Sequence, residues 1–265
     1  YRGSPGTSEA RTMTAKRIIP CLDIANGTVV KGNQYRALTP IGDPLKLVRR
    51  YEQDGADEII LLDILATPDA QTPMTDLIRL LTPSTFIPIC VGGGIRSLDD
   101  VHALMDAGTD KVAICSAALE NPALITTIAK QYGSQCVVVS IDAKQDTTRK
   151  TWLCFSHGGR TNTGIDVLTW AQEAEARGAG EILLNSIDAD GTGKGYDIKL
   201  LKAVSTRVHI PVIASSGAGT LAHIRDAFSV GHADAVLIAG MLHRRETTIQ
   251  AIKQFLLEEG VTVRC

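Results

Sequence analysis

The sequence predicts an α/β fold, namely a single (β/α)8 TIM barrel with two-fold half-barrel pseudosymmetry. Three observations carry this prediction: a length of 265 residues, a regular alternation of short apolar runs with helical patterns, and an internal repeat. Eight strand–helix units are the usual content of a TIM barrel of about this length. An open, doubly wound sheet would show the same alternation, and the repeat decides against it.

The repeat relates the first half of the chain to the second. Pro88-Ile-Cys-Val-Gly-Gly-Gly and Pro211-Val-Ile-Ala-Ser-Ser-Gly both read as a buried strand that runs into a Gly-rich turn, and they are displaced by 123 positions (211 − 88). Two further pairs of segments keep this offset, one starting at Gly55 and Gly178 and the other at Gly108 and Gly231. Two four-strand halves of this kind close naturally into one eight-stranded barrel.

The predicted elements follow from residue type and periodicity. Ile, Val, Leu and Ala dominate the strands, as expected for a parallel sheet that is buried on both faces. The strands are predicted at 17–24, 58–64, 87–91, 111–115, 135–142, 181–187, 208–215 and 234–239. Helical spacing predicts helices at 43–54, 73–81, 97–107, 121–132, 166–177, 197–205, 220–229 and 246–259. Asp43 and Ser97 are predicted as helix N-caps, and Gly55 ends the first helix.

Three segments fall outside this alternation. Residues 26–42 contain Lys31 and form a polar connection long enough to act as a mobile lid. Residues 143–164 hold two short β-like runs around 152–155 and are predicted to form a small hairpin insert. Residues 1–14 are expected to be a disordered leader or an expression remnant, with Met13 a plausible native start, so that the barrel domain spans residues 15–265.

Composition argues against several classes of function. The formal net charge of −2 gives no reason to expect nucleic acid or an anionic membrane as a partner. No apolar run is long enough to span a bilayer, and the histidines show no ligand spacing, so no metal is assigned. The six cysteines lack C-x-x-C spacing, and several lie in apolar runs, which favours a reducing, cytoplasmic setting.

Two aspartates occupy matched strand ends. Asp23 and Asp142 close the first and fifth predicted strands at the carboxyl end of the barrel, where the active sites of this fold lie. Two carboxylates on opposite sides of a substrate can serve as general acid and general base. A strand-end Asp is also a common N-cap of the following helix, but the matched pair favours the catalytic interpretation.

Gly-rich turns after the strands offer two places for phosphate, because such turns expose backbone N–H groups. One seat follows the third and fourth strands and consists of Gly93, Gly94 and Ser116, with Cys115 interpreted mainly as a packing residue. Its counterpart follows the seventh and eighth strands and consists of Gly217, Gly219, Ala239 and Gly240. A ligand with a phosphate at each end would span the mouth of the barrel, although each turn alone could be no more than a tight turn.

Several motifs are specific enough to compare with a known family: Ala15-Lys-Arg-Ile-Ile-Pro-Cys-Leu-Asp23, Val29-Val-Lys-Gly32, Val91-Gly-Gly-Gly-Ile95, Val138-Val-Ser-Ile-Asp-Ala-Lys144, Gly178-Ala-Gly-Glu-Ile-Leu-Leu184, Asp190-Gly-Thr-Gly-Lys-Gly-Tyr-Asp197 and Ile213-Ala-Ser-Ser-Gly-Ala-Gly219. From about Ala15 to the carboxyl terminus, the chain resembles the cyclase subunit of imidazole glycerol phosphate synthase, from histidine biosynthesis. The isomerase of the same pathway shares the half-barrel repeat, but its first strand lacks the Pro-Cys-Leu-Asp pattern.

The resemblance implies an enzyme without a cofactor that uses ammonia. Its substrate would be a bisphosphate ribulosyl aminoimidazole-carboxamide nucleotide, and its products imidazole glycerol phosphate and an aminoimidazole-carboxamide ribotide. Asp23 and Asp142 match the acid/base pair, and Lys31 matches the loop residue that closes over the substrate. The phosphate and substrate candidates at matching positions are Gly94, Cys115, Ser116, Asp190, Gly191, Ser215, Gly217, Ala239 and Gly240.

The resemblance also implies a partner. The sequence shows no glutaminase region, so a separate glutamine amidotransferase subunit would supply ammonia through the amino-terminal face of the barrel. The family's charged ring at that entrance maps onto Arg17, Glu58, Lys111 and Glu181. A stabilising layer at the base of the barrel is the alternative interpretation of these charges.

The chain departs from the family at four places. Cys115 replaces a usual Asn, Leu65 a usual Thr, Ser216 a usual Gly and Gly240 a usual Ser. The departures at Cys115 and Leu65 are the basis of a competing hypothesis, a non-catalytic barrel that binds phosphate ligands. The pathway's isomerase is the second alternative.

Overall fold

The computed structural model describes residues 15–33, 36–65 and 72–264, so the expected leader at residues 1–14 lies outside the described residues. The strands found there are β1 (Arg17–Ala25), β2 (Thr28–Asn33), β3 (Arg36–Gly42), β4 (Ile59–Asp63), β5 (Ile89–Gly92), β6 (Lys111–Ile114), β7 (Val137–Asp146), β8 (Thr151–Ser156), β9 (Thr161–Asp166), β10 (Glu181–Ser186), β11 (Val212–Ser215) and β12 (Ala235–Ile238). The α-helices are α1 (Pro44–Gln53), α2 (Thr72–Leu81), α3 (Leu98–Asp106), α4 (Ser116–Glu120), α5 (Ala123–Tyr132), α6 (Val167–Ala176), α7 (Ile198–Ser205), α8 (Leu221–Ser229), α9 (Gly240–His243) and α10 (Ile249–Glu258).

Eight of these strands form a closed parallel barrel. They pair side by side in the order β1, β4, β5, β6, β7, β10, β11, β12, and β12 pairs again with β1. Because β1 has a parallel neighbour on both sides, the sheet has no open edge there. The predicted (β/α)8 barrel is confirmed.

Side chains alternate between the inside of the barrel and the helix layer, because successive residues of a strand point to opposite faces. Along β1, Ile19 and Cys21 belong to the core inside the barrel, whereas Ile18 and Leu22 belong to the core between barrel and helices. The inner core is completed by Ile60, Cys90, Ala113, Val138, Leu183, Ile213, Ala235 and Leu237. Charged and polar residues lie at the two ends of this apolar interior.

The first strand of each half continues into antiparallel strands above the barrel. β1 pairs with β2, which pairs with β3, so the connection predicted as a lid is a β-hairpin in its described part. β7 likewise pairs with β8 and β8 with β9, which matches the predicted insert and adds a third strand to it. The two halves therefore share the hairpin as well as the strand–helix units.

The predicted caps are present, and two short helices were missed. The Asp43 side chain accepts a hydrogen bond from the N–H of Lys46 at the start of α1, and Ser97 forms a capping box with Asp100 at the start of α3. α4 and α9 are only 5 and 4 residues long, too short for a periodicity signal. Within the described ranges, no helix combines the length and the apolar character needed to cross a bilayer.

Candidate active site

Asp23 lies near the carboxyl end of β1, opposite Val30 of the hairpin strand β2. The Cys21 thiol, which also faces the barrel interior, lies 3.8 Å from the Asp23 carboxylate. Burial raises the pKa of Asp23; the positive charge of Lys31 opposes this rise, and the negative charge of Asp190 adds to it. Asp23 is thus a carboxyl group that holds a proton more readily than an exposed Asp, with a lysine beside it.

Asp142 occupies the equivalent place on β7 in the second half. The side-chain amide of Asn185, on the neighbouring strand β10, donates a 3.0 Å hydrogen bond to Oδ1 of Asp142. Cys115 follows the other neighbouring strand, and its thiol lies 4.0 Å from Oδ2. Burial raises the pKa of Asp142, the Asn185 hydrogen bond lowers it, and the charge of Asp190 raises it again.

The two carboxyl groups have different surroundings although they occupy equivalent places. Asp23 is next to a cation, whereas Asp142 is held by a neutral amide. Environments that differ in this way allow one carboxyl to donate a proton while the other accepts one at the same pH. The Cys115 thiol does not compete for this chemistry, because burial and the nearby Asp142 raise its pKa well above the ordinary value.

Asp190 lies in the turn after β10 and accepts a 3.3 Å hydrogen bond from the hydroxyl of Ser216. Its charge contributes to the raised pKa of both Asp23 and Asp142. An ionised carboxylate has no hydrogen to donate to a phosphate. Any contribution of Asp190 and Gly191 to phosphate binding would therefore come from the backbone, where Gly191 adopts a positive φ of 71°.

Glycine is required at the turns of both predicted phosphate seats. A Cβ atom on Gly93 would lie 2.1 Å from the carbonyl oxygen of Asp63, and one on Gly217 would lie 2.1 Å from that of Gly195. Gly93, Gly94 and Gly217 all have positive φ values, of 91°, 70° and 101°. The turns therefore pack directly on the preceding loops of the barrel, at Gly93 in the first half and, in the second half, at Gly217, one position beyond the equivalent of Gly93.

The remaining seat residues differ in what their side chains contact. The hydroxyl of Ser116 accepts a 2.8 Å hydrogen bond from the backbone N–H of His157. His157 lies in the turn between β8 and β9, which is the tip of the hairpin that these strands form in the second half, called the second hairpin below. Ser215 is buried and pairs in register with Asn185 of β10, so its side chain lies on the same, inner face of the sheet. Ala239 and Gly240 begin α9, and a Cβ atom on Gly240 would lie 2.8 Å from a guanidinium nitrogen of Arg244.

A cavity of about 580 Å³ opens beside Asp142 at the carboxyl end of the barrel. Its walls come from the ends of β7 and β10, the turn after β11 and the tip of the second hairpin, and its lining residues are Asp142, Lys144, Gly158, Gly159, Arg160, Asn185, Ser186, Ile187, Asp190 and Ser216. This volume is within the range of small-molecule sites. Two carboxylates and two cationic side chains therefore face one cavity.

The four charged residues predicted at the opposite end form one network. Arg17 lies 2.8 Å from Glu58 and 3.1 Å from Glu181, and Lys111 lies 2.8 Å and 3.0 Å from the same two carboxylates. Burial raises the pKa of Glu58 against the opposing effect of Lys111 and Arg17. One oxygen of Glu58, Oε1, is buried and has no hydrogen-bond partner among the described residues. The ring closes the amino-terminal end of the barrel.

The sequence analysis missed Asn185, Lys144 and Arg160. Asn185 had a usable signal, since it is a polar residue at the end of the apolar run Glu181-Ile-Leu-Leu, on the face where active sites lie. Lys144 also had a signal, since it lies two residues after Asp142 on the same strand, β7. Arg160 had none, because its position depends on how the hairpin of β8 and β9 folds back over the barrel.

These features define a class: a (β/α)8-barrel protein equipped for general acid–base chemistry at the carboxyl end of its strands. The family model described as "Histidine biosynthesis protein" matches residues 17–248. Three curated relatives carry the name imidazole glycerol phosphate synthase subunit HisF. The one from Myxococcus xanthus is 52% identical over 252 residues, covering 95% of this chain and 99% of the relative. The one from Wolinella succinogenes is 52% identical over 250 residues (94% and 98%), and the one from Anoxybacillus flavithermus 49% over 252 residues (95% and 100%).

The chain therefore belongs to the histidine biosynthesis protein family, with imidazole glycerol phosphate synthase HisF subunits as relatives along nearly its whole length. The resemblance to the cyclase subunit that the motifs predict is confirmed. Neither the isomerase nor a non-catalytic barrel is favoured by these relatives.

Proposed function

We propose that this chain is the ammonia-dependent cyclase of imidazole glycerol phosphate synthase, with Asp23 and Asp142 as its acid/base pair. It converts the bisphosphate ribulosyl aminoimidazole-carboxamide nucleotide and ammonia into imidazole glycerol phosphate and an aminoimidazole-carboxamide ribotide. The observation that carries the proposal is the presence of two partly buried carboxyl groups with raised pKa at equivalent positions on β1 and β7, one beside Lys31 and one that accepts a hydrogen bond from Asn185.

The reaction consists of ammonia attack on a carbonyl, elimination and ring closure, and each step moves protons. A carboxyl group that keeps its proton can deliver it to a leaving oxygen, and an ionised carboxylate can take one from nitrogen. Lys31 stabilises the ionised form of Asp23, and Asn185 stabilises that of Asp142. The pair divides the two roles, while the phosphates of the substrate are held by the seats that contain Gly94 and Gly217.

The barrel interior is suited to carry ammonia as the neutral molecule. Its path begins at the charged ring, where the unpaired Oε1 of Glu58 can accept a hydrogen bond from an incoming N–H group. Beyond the ring the lining is apolar up to Cys21 and Asp23. An ammonium ion would lose its hydration there at a high cost in free energy, whereas neutral ammonia loses much less because it carries no charge.

A glutamine amidotransferase subunit is the proposed source of ammonia, docked on the amino-terminal face. Large exposed apolar side chains on that face support its proposed role as a docking surface. Phe86 is 91% exposed in the loop before β5, and Leu80, Leu257 and Val230 are exposed at the carboxyl ends of α2, α10 and α8. In this fold the helices run opposite to the strands, so these positions lie toward the same end as the charged ring.

A reducing, cytoplasmic setting is part of the proposal. Cys21, Cys90, Cys115, Cys136 and Cys154 are all free thiols in the described part of the chain. Disulfides are rare in that compartment.

Turnover of the bisphosphate nucleotide by the purified chain with ammonium salt tests the proposal. Asp23→Asn and Asp142→Asn should each reduce kcat by at least about a hundredfold, since general acid–base catalysis contributes about that much. Asp99→Asn, on the exposed first turn of α3, is the matched control and should retain activity. Normal turnover in both active-site variants would reject these roles, and turnover without ammonia would indicate the isomerase.

The partner is tested separately with Phe86→Asp. Activity with ammonium should be unchanged, while activity with glutamine and an added glutaminase subunit should fall at least tenfold. Leu65→Asp, at the opposite end of the barrel, controls for the loss of an exposed apolar side chain, because its ratio of glutamine to ammonium activity should match the wild type. An unchanged ratio in Phe86→Asp would exclude this residue from the docking surface.

A further inference from the structure

The tip of the second hairpin places a cationic side chain at the catalytic cavity. Arg160 and Lys144 both line the cavity of about 580 Å³ that contains Asp142 and Asp190. Lys144 lies over the ring of Phe155, with its nitrogen 5.9 Å from the ring centre. The guanidinium of Arg160 has no ion pair or side-chain hydrogen bond among the described residues, so its five N–H donors are available.

The backbone around Arg160 has a defined conformation that is fixed at several points. His157, Gly158 and Gly159 have consecutive positive φ values of 54°, 65° and 76°. The N–H of Arg160 donates a 3.1 Å hydrogen bond to the carbonyl of Ser156, which closes the turn. A residue other than glycine in the left-handed region is costly and persists where its surroundings hold it there.

The turn is also attached to the first phosphate seat. The N–H of His157 donates a 2.8 Å hydrogen bond to the Ser116 hydroxyl, and its imidazole lies 2.9 Å from the Ser156 hydroxyl and 3.5 Å from the Glu120 carboxylate. On the opposite side, Gly159 packs close to Ile187, where a Cβ atom would lie 3.2 Å from that side chain. The hairpin tip is thus held between the end of β6 and the turn after β10.

The first half also brings a cation to its carboxyl group from a hairpin, although at a different position, because the register pairs Val30 with Asp23 and Phe155 with Asp142 and so makes Ser156 the counterpart of Lys31. There the hairpin strand β2 places Lys31 next to the carboxyl group of Asp23. In the second half, the hairpin formed by β8 and β9 places Arg160 at the cavity that contains Asp142. Each half therefore contributes one carboxyl group from its first strand and one cation from its hairpin.

We propose that Arg160 is a substrate-binding residue that holds one of the two phosphates of the bisphosphate nucleotide. The proposal rests on the function proposed above and adds a phosphate ligand outside the glycine-rich turns. A guanidinium binds phosphate through two parallel N–H···O hydrogen bonds.

Steady-state kinetics with ammonium distinguish this role from a structural one. Arg160→Gln should raise KM for the bisphosphate nucleotide at least tenfold and leave kcat within about twofold, and Arg160→Lys should recover part of the loss. Arg149→Gln is the matched control, because Arg149 lies in the other turn of the same insert, is exposed, and has polar contacts with Asp146 alone among the described residues. It should leave KM unchanged, and an unchanged KM in Arg160→Gln would overturn the proposal.

Product inhibition provides a second measurement, because each product keeps one phosphate. Arg160→Gln should weaken inhibition by one product at least tenfold and leave inhibition by the other unchanged. Equal weakening for both products would indicate a general effect of charge and would overturn the proposal. If the wild type shows no turnover, the proposed function fails. The binding role of Arg160 is then decided by calorimetry with each product, in which the wild type is compared with Arg160→Gln. Weaker binding of one product by the variant supports this role, and any other result rejects it.

Discussion

Gly93 and Ser216 occupy equivalent positions in the two halves of the barrel, 123 residues apart, and both have a left-handed backbone, with φ values of 91° and 75°. At Gly93 a side chain is impossible without rearrangement, since a Cβ atom would lie 2.1 Å from the carbonyl oxygen of Asp63. At Ser216 a side chain is accommodated, and its hydroxyl donates to Asp190. The second half therefore admits a residue that the first half excludes.

This difference predicts unequal effects of exchanging the two residues. Gly93→Ser should destabilise the protein by about 3 kcal/mol or more, because the turn and the Asp63 loop must separate. Ser216→Gly should change stability by no more than about 1 kcal/mol, since relief of the left-handed backbone offsets the lost hydrogen bond. Urea denaturation of both variants measures the free energy of unfolding, and similar values for the two would contradict this explanation.

Asn185 should set the pH dependence of catalysis through Asp142. Asn185→Ala removes a hydrogen bond that lowers the pKa of Asp142, so that pKa should rise further. The limb of the kcat profile that reports the ionisation of Asp142 should then move to higher pH. The control is Asn162→Ala, in the second hairpin, whose side chain has a single hydrogen bond in the described part of the chain, accepted from the N–H of Gly164. A profile that keeps its position in Asn185→Ala would rule out this role.

Asp142→Asn should stabilise the fold while it abolishes activity. Because burial raises the pKa of Asp142 in the folded state, the ionised group costs stability at pH values above that pKa. The neutral amide removes this cost, so the variant should be more stable than the wild type at pH 7 to 8. This gain in stability should shrink as the pH falls. It should disappear below the ordinary Asp pKa of 3.8, where residue 142 is neutral in the wild type as well as in the variant. Thermal unfolding across this range measures the effect, and a gain that persists at acid pH would indicate another cause.

Arg17→Met should be strongly destabilising, because Arg17 is bonded to two buried carboxylates. Loss of one partner from a buried ion pair typically costs about 3–5 kcal/mol, and the remaining Lys111 contacts should keep the value near the lower end. Arg177→Met removes an ion pair with Glu173 at an exposed helical site, and should cost about 0.5 kcal/mol or less. Chemical denaturation compares the two variants, and equal small losses would show that the ring contributes little to stability.

Much of the fold could be predicted from the sequence because it depends on local pattern. The alternation of apolar runs and helices, the caps Asp43 and Ser97, and the repeat together predicted a closed barrel of two halves. The structure of residues 26–42 was harder to predict, since the strands β2 and β3 form only by pairing with each other and with β1. Their composition alone indicated no more than a polar connection.

The sequence by itself determined the eight strand–helix units, their division into halves, and the placement of Asp23 and Asp142 at matched strand ends. Strand periodicity depends on neighbouring residues, and the repeat is visible when the two halves of the sequence are compared. The tertiary structure decided which groups surround these acids. Asn185 reaches Asp142 only because β10 pairs with β7. Arg160 reaches the cavity only because the hairpin tip is held by the hydrogen bond from the N–H of His157 to the Ser116 hydroxyl. Such contacts join residues 41 to 43 positions apart, so they arise from barrel closure rather than from any local pattern.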